Sequence, residues 1–328
     1  MIRLGAVSFL NARPLIEGLE GREDVELFYD VPARLPALLD AGRVDAALTP
    51  LIDVIRSAGR YRVVSDACIG CDGETMTVRI FSQVSPDRIR TLHVDGDSHT
   101  SVALARVLWR ELHGRELELR PLDRSQDVGQ LESVLLIGDK VVQRRRGFAY
   151  EVDLGGAWRQ HTGLPFVFAV WATRNREWRI ANGEWEGANS DDRAEREVGV
   201  EGVVARSADS GCLRGGAAAG SPGTSPEPSY EFGIRHSLFA ILSAARDRGV
   251  ARAAQIAEQE GPKRWWPVDA AKRYLTECLR FTIDARYVQG ADYFAELCAR
   301  IGAAPPDAGI AWPEALRSRP GRMAGSRA

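Results

Sequence analysis

Arg3-Leu4-Gly5-Ala6-Val7-Ser8-Phe9-Leu10-Asn11-Ala12-Arg13-Pro14 opens the chain with an apolar run, a polar break and a proline. Arg3 to Val7 reads as a short buried strand, Ser8 to Asn11 as a loop, and Pro14 as the start of a helix, where its missing N–H costs nothing. Further along, the rhythm repeats. Val25 to Tyr29 reads as a second strand, Leu35 to Ala41 carries apolar residues at helical spacing before Gly42, and Val44 to Leu48 reads as a third strand ending in Thr49-Pro50. Strands separated by helices need crossover connections, so the pattern predicts a parallel sheet and an α/β fold.

Val78 to Ser82 and Thr91 to Val94 are two more extended stretches, separated by the turn-prone Ser85-Pro86-Asp87. The crossing into a second lobe is expected at that turn. Asp97-Ser98-His99-Thr100-Ser101 supplies caps for an amphipathic helix over Val102 to Leu112, and Ser133 to Ile137 is a strand ending in Gly138-Asp139. Leu164 to Trp171, with Phe166, Val167, Phe168 and Val170, favours a strand that returns the chain to the first lobe. Two crossovers make a hinge. The expected partition is residues 1–85 plus 171–328 in lobe 1 and 86–170 in lobe 2.

From about Arg174 to Tyr230 the apolar periodicity stops, and Gly, Ser, Pro, Glu and Asp accumulate through GCLRGGAAAGSPGTSPEPS. That composition reads as a disordered or loosely attached insertion over 174–230. Helical patterning resumes at Ile234 to Arg248, Ala251 to Gln259, Val268 to Leu279 and Gln289 to Ile301, and the tail over 304–328 is expected to fray.

At 328 residues, with 45% hydrophobic and 27% charged residues and a formal net charge of −2, the chain has a globular composition with room for two domains. The basic run Lys140 to Arg146 reads as a solvated face, and nothing points to a nucleic-acid partner. The opening segment lacks an export signal and no window is apolar enough to span a membrane, so a cytoplasmic protein is expected. Five cysteines include Cys68 and Cys71, but no second pair follows at zinc spacing, and both read as small apolar residues. Trp158 and the Trp265-Trp266 pair read as packing anchors, while nucleotide-binding and HExxH signatures are absent.

Ligands of open α/β sheets bind beyond the carboxyl ends of the strands. That rule selects Ser8 and Asn11, Thr49, Gly70 within the Cys68-to-Gly73 loop, Ser98, Thr100 and Ser101, and Gly138 with Asp139. Hydroxyls and free N–H groups at a helix start suit a carboxylate, although a plain N-cap uses the same residues. Asn11 either orients a substrate hydroxyl or caps the following helix. Asp139 is either a base or a capping carboxylate.

GAVSFLNARPLIEGL (Gly5 to Leu19), DGDSHTSVALARVL (Asp95 to Leu108), LLIGDK (Leu135 to Lys140) and DLGGAWRQHTGLPFVFAVWA (Asp153 to Ala172) together resemble the chorismate dehydratase family of the futalosine route to menaquinone. The resemblance implies a periplasmic-binding-protein-like (type 2) fold with a double crossover hinge. It also implies dehydration of chorismate to 3-[(1-carboxyvinyl)oxy]benzoate, with Ser8, Asn11, Ser98, Thr100 and Ser101 lining the substrate site. This chain departs from the family pattern in its long insertion, in the cysteines of CIGCDG and in His99.

Such an aromatising elimination requires no metal or redox cofactor. Asn11 is the expected catalytic residue, fixing geometry while a substrate carboxylate takes the ring proton. Two other readings stand beside this one, a non-catalytic small-anion binding protein and the sibling dihydroxynaphthoate synthase, for which His99 would serve as base. A homodimer is left open.

Overall fold

Ile2–Ala6 (β1) pairs in parallel with Val25–Tyr29 (β2) on one side and with Ala46–Pro50 (β3) on the other. The computed structural model describes residues 1–123, 127–142, 147–175 and 228–317, with the backbone alone for 228–237. The first sheet runs β2-β1-β3-β10-β4-β11, where β4 is Tyr61–Cys71, β10 is Phe166–Arg174 and β11 is Leu279–Thr282. The second runs β7-β6-β8-β5-β9, from Glu118–Pro121 (β7), Thr91–Val94 (β6), Ser133–Ile137 (β8), Val78–Ser82 (β5) and Tyr150–Asp153 (β9). The returning β10 inserts antiparallel between β3 and β4.

The helices are Leu35–Asp40 (α1), Leu51–Arg56 (α2), His99–His113 (α3), Leu154–Thr162 (α4), Pro228–Ala251 (α5), Ala253–Glu260 (α6), Val268–Arg273 (α7) and Ala285–Arg300 (α8). Where a helix was expected from Pro14, the chain winds earlier, as a 3-10 helix over Leu10–Ile16 with Pro14 inside it. A proline there lacks the donor and clashes with the carbonyl an α-helix would use, so the tighter turn is retained. The supposed Cys68-to-Gly73 loop is strand as far as Cys71. Its polar Ser65 and Asp66, together with the register shifts against β10, break the alternation that marks a strand.

The change of sheet falls at residues 72–77, because β5 already belongs to the second sheet. Ser85-Pro86-Asp87 is only a turn within that sheet, continuing into a 3-10 turn over Pro86–Arg88. Asp153 clamps the true crossover. Its carboxylate accepts from Thr75 N (2.9 Å) and Met76 N (2.8 Å) while capping α4 through Gly155 N (3.1 Å) and Gly156 N (3.0 Å). These donors hold Met76 in the left-handed region, at φ 63°. The chain returns between α4 and β10.

Trp158 is fully buried and meets the Phe166 and Phe294 rings edge-on, with centroids 5.2 and 5.9 Å away. Trp266 is likewise buried, but Trp265 is 81% exposed, so only one of that pair is an anchor. The tail does not fray over 304–317: the Ala311 carbonyl accepts from Val63 N (2.9 Å), and buried Trp312 donates to Asp292 (3.0 Å). Residues 176–227, most of the expected insertion, and 318–328 lie outside the described residues. So do Arg144 to Arg146, whereas Lys140 is paired with Asp95 and Asp97 rather than solvated.

Candidate functional site

A cavity of about 610 Å³, counting its opening to solvent, lies between the two sheets and draws its walls from both. From the second-sheet side come Ser98, Thr100 and Ser101 at the start of α3, with Ile137 and Gly138 at the end of β8. Asn11, Phe9, Leu48, Pro50, Phe168 and Tyr274 come from the first-sheet side, and Thr75 and Thr77 from the crossover. No Asp, Glu, Lys, Arg or His lines it among the described residues. Recognition therefore rests on neutral donors, acceptors and helix ends.

The α3 end is built by its own sequence. Ser98 has extended dihedrals, its Oγ accepts from Ser101 N (3.3 Å), and it donates to Ser101 Oγ (2.8 Å). Thr100 Oγ1 accepts from Ile52 N (3.3 Å) of α2. The side-chain oxygens are thus largely occupied, whereas the first-turn N–H groups of His99 and Thr100 have no acceptor among the described residues. Orphan donors on a helix of 15 residues, reinforced by its dipole, favour an anion there.

On the opposite wall Asn11 presents a different face. Its Oδ1 is buried without a hydrogen-bond partner, a condition that costs about 1–3 kcal/mol unless a ligand supplies a donor. The rest of its amide faces the Tyr274 hydroxyl, which is 2.8 Å from Thr77 Oγ1. Burial pushes the Tyr274 phenol well above its usual range, and the bond with Thr77 and the nearby Asn11 amide only partly oppose this. The Tyr274 ring stacks on Trp266 at 4.8 Å and 15°.

Asn11, Ser98, Thr100, Ser101 and Gly138 are brought together around this cavity. The other selected residues are not. Ser8 is exposed and offers only its carbonyl, which accepts from Arg264 Nε (3.0 Å). Thr49 is fully buried with its hydroxyl donating to the Ala47 carbonyl (3.1 Å), because strand alternation turns Leu48 and Pro50, not Thr49, to the cavity. Gly70 sits inside β4, where a Cβ would meet the Phe166 carbonyl at 2.9 Å.

Asp139 turns away from the cavity and accepts from Trp266 Nε1 (2.8 Å), tying the second sheet to the C-terminal segment. Burial raises its pKa above the usual carboxylate range, and the Trp266 bond only partly opposes this. His99 also faces elsewhere, with Nδ1 2.8 Å from Asp53. Cys68 and Cys71 are buried thiols whose pKa burial drives up, which suits small apolar residues. No group of three potential metal-binding side chains occurs among the described residues, nor is any helix long and apolar enough to cross a membrane.

Sequence reading missed Thr75, Thr77 and Tyr274. Tyr274 begins a π-helical turn over Tyr274–Cys278, a local irregularity that recurs at functional sites but leaves no mark on apolar spacing.

Two sheets joined by a double crossover, with the returning strand inserted antiparallel beside β3 and a cavity between them, define the periplasmic-binding-protein-like class. The fold is shared with protein AF1704 from Archaeoglobus fulgidus (13% identity, TM-score 0.59, covering 92% of this chain and 98% of that one). It is also shared with the periplasmic aliphatic sulphonate-binding protein SsuA of Escherichia coli (12% identity, TM-score 0.53, 94% and 95%). In sequence the chain belongs to the menaquinone biosynthesis family, which it matches over residues 2–189. It is 28% identical over 188 residues to a chorismate dehydratase of Thermus thermophilus, covering 52% of this chain and 69% of that protein.

Proposed function

We propose that this protein dehydrates chorismate to 3-[(1-carboxyvinyl)oxy]benzoate in the futalosine-dependent route to menaquinone, acting in the cytoplasm. The observation that carries the reading is chemical complementarity across one cavity. Chorismate as a dianion has two carboxylates, which only accept hydrogen bonds, and one ring hydroxyl, its sole donor. The cavity offers the unoccupied N–H of Thr100 at the start of α3 and, opposite, one unpartnered acceptor in Asn11 Oδ1.

In this arrangement the N–H of Thr100, at the positive end of α3, holds a carboxylate, with Ser98 fixing the helix end that presents it. Asn11 Oδ1 accepts from the ring hydroxyl, since a carbonyl oxygen would repel a carboxylate, and so sets the direction in which that hydroxyl departs. Phe9, Phe168, Leu48 and Pro50 supply apolar walls for the ring. Their low polarity strengthens each hydrogen bond that is made. Loss of the hydroxyl and a neighbouring ring proton leaves an aromatic ring, which drives the reaction. No histidine or carboxylate of the chain lines the cavity among the described residues, so the substrate's own carboxylate is the proton acceptor. Catalysis then consists of alignment and preorganised electrostatics.

The test is to add purified protein to chorismate and follow the diene absorbance. The expected outcome is its loss with formation of the benzoate product. Binding without turnover would make the protein a small-anion receptor, and intact, unbound chorismate would end the proposal. Among the described residues the sibling reaction finds no histidine base in the cavity, because His99 is tied to Asp53 outside it.

A further inference from the structure

Thr77 and Tyr274 reach the cavity from different parts of the fold. Thr77 stands at the end of the crossover, immediately before β5, and Tyr274 follows α7 on the first-sheet side. Both side chains are almost completely buried, at 2% and 1% exposure, yet both contribute to the cavity wall. Their oxygens are 2.8 Å apart, and either can be the donor.

A hydrogen count shows what the pair has left over. Two hydroxyls bring two hydrogens, and the bond between them uses one. The Asn11 amide facing Tyr274 leaves its own Oδ1 unpartnered, so it does not take the second hydrogen. Whichever hydroxyl donates to the other, one hydrogen remains at the cavity wall beside an unpartnered acceptor. A hydroxyl group fits between an unspent donor and an unspent acceptor, since it is at once an acceptor and a donor. A carboxylate does not.

We propose that Thr77 donates to Tyr274, and that Tyr274 is a catalytic residue whose own hydrogen is donated to the departing ring oxygen while Asn11 Oδ1 accepts that oxygen's own hydrogen. The inference rests on the chorismate reading and deepens it. In the step itself the ring C–H bond breaks, its electron pair enters the ring, and the C–O bonding pair leaves with the hydroxyl oxygen. The ring proton, taken first by the substrate carboxylate, combines with that hydroxide as water, and Tyr274 keeps its proton throughout. The donor acts by stabilising negative charge as it collects on the leaving oxygen.

Tyr274→Phe keeps the ring stacked on Trp266 and removes only the hydroxyl. The expected result is a fall in kcat of about 100-fold, with KM changed less than threefold and the melting temperature nearly kept. Thr77→Val should lower kcat and Thr77→Ser restore it, which provides the same test should Tyr274→Phe fail to fold. A kcat within twofold of the wild type in Tyr274→Phe, or in Thr77→Val if that is the variant measured, overturns the inference while leaving the dehydratase reading intact. Absence of chorismate turnover by the wild-type protein overturns both.

Discussion

The two walls of the cleft are built in opposite ways. The α3 wall comes from consecutive residues, Ser98 to Ser101, whose side-chain oxygens are largely spent on one another and on Ile52 N, leaving the backbone N–H of Thr100 to face the ligand. The facing wall is assembled from Asn11, Thr77 and Tyr274, far apart in the chain, and keeps an unspent side-chain acceptor. One wall therefore suits charge through a helix end. The other suits a hydroxyl through individually placed groups, and changes to each wall should have different signatures.

The largest effect is expected at Asn11. Asn11→Ala should lower kcat by about 100-fold or more at saturating chorismate, with a smaller change in KM, as read from the steady-state loss of diene absorbance. Unchanged turnover and affinity would dissolve the distinction between the walls. Ser98→Asp probes the other wall, because aspartate caps as well as serine but sets a negative charge where a carboxylate should sit. Chorismate affinity should weaken roughly tenfold, about 1.4 kcal/mol, with the melting temperature held. If Ser98→Asp binds as tightly as the wild type, that end of α3 does not hold the anion.

A pH experiment sharpens the contrast further. Glu260 anchors the Asn11 wall: it pairs with Arg264, whose Nε donates to the Ser8 carbonyl, and it lies 3.7 Å from Arg13. Burial pushes its carboxyl upward, but Lys263, Arg264 and Arg13 prevail and bring the pKa down to about 2 from an ordinary 4.5. The folded state thus binds this proton less readily than the unfolded chain. Its stabilising contribution is complete above about pH 4.5 and is lost as the pH falls towards 2. Denaturant melts across that window should show Glu260→Gln losing less stability with acid than the wild type; identical slopes would remove Glu260 from the account.

The smallest effect is expected at Gly138, where β8 delivers the chain to the cavity at φ 60° and a Cβ would touch the Phe9 ring at 3.4 Å. Gly138→Ala should cost about 1–2 kcal/mol, seen as a lowered melting temperature. A neutral substitution would mean that the turn relaxes without disturbing Phe9.

Much of the fold is legible in the sequence. β2, β5, β6 and β8 lie where apolar runs and turn residues place them, because their side-chain patterns are local. β4 was not, since its strand character depends on β10 and β11 covering its two edges and not on its own alternation. In the site, the Ser98-to-Ser101 helix start and Asn11 were legible as polar groups after strands. Thr49, Gly70 and Asp139 satisfy the same rule and still turn elsewhere.

The amino-acid sequence by itself determined the α/β class, the existence but not the place of the double crossover, and the capped start of α3, because strand period, helix period and capping act over a few neighbouring residues. The tertiary structure alone decided which polar side chains share the cavity. Pleat phase turned Thr49 inward to the backbone, a buried indole drew Asp139 aside, and a π-helical turn carried Tyr274 to within hydrogen-bonding reach of Thr77. Each of those outcomes depends on a partner supplied by a distant segment, and no local pattern encodes a partner.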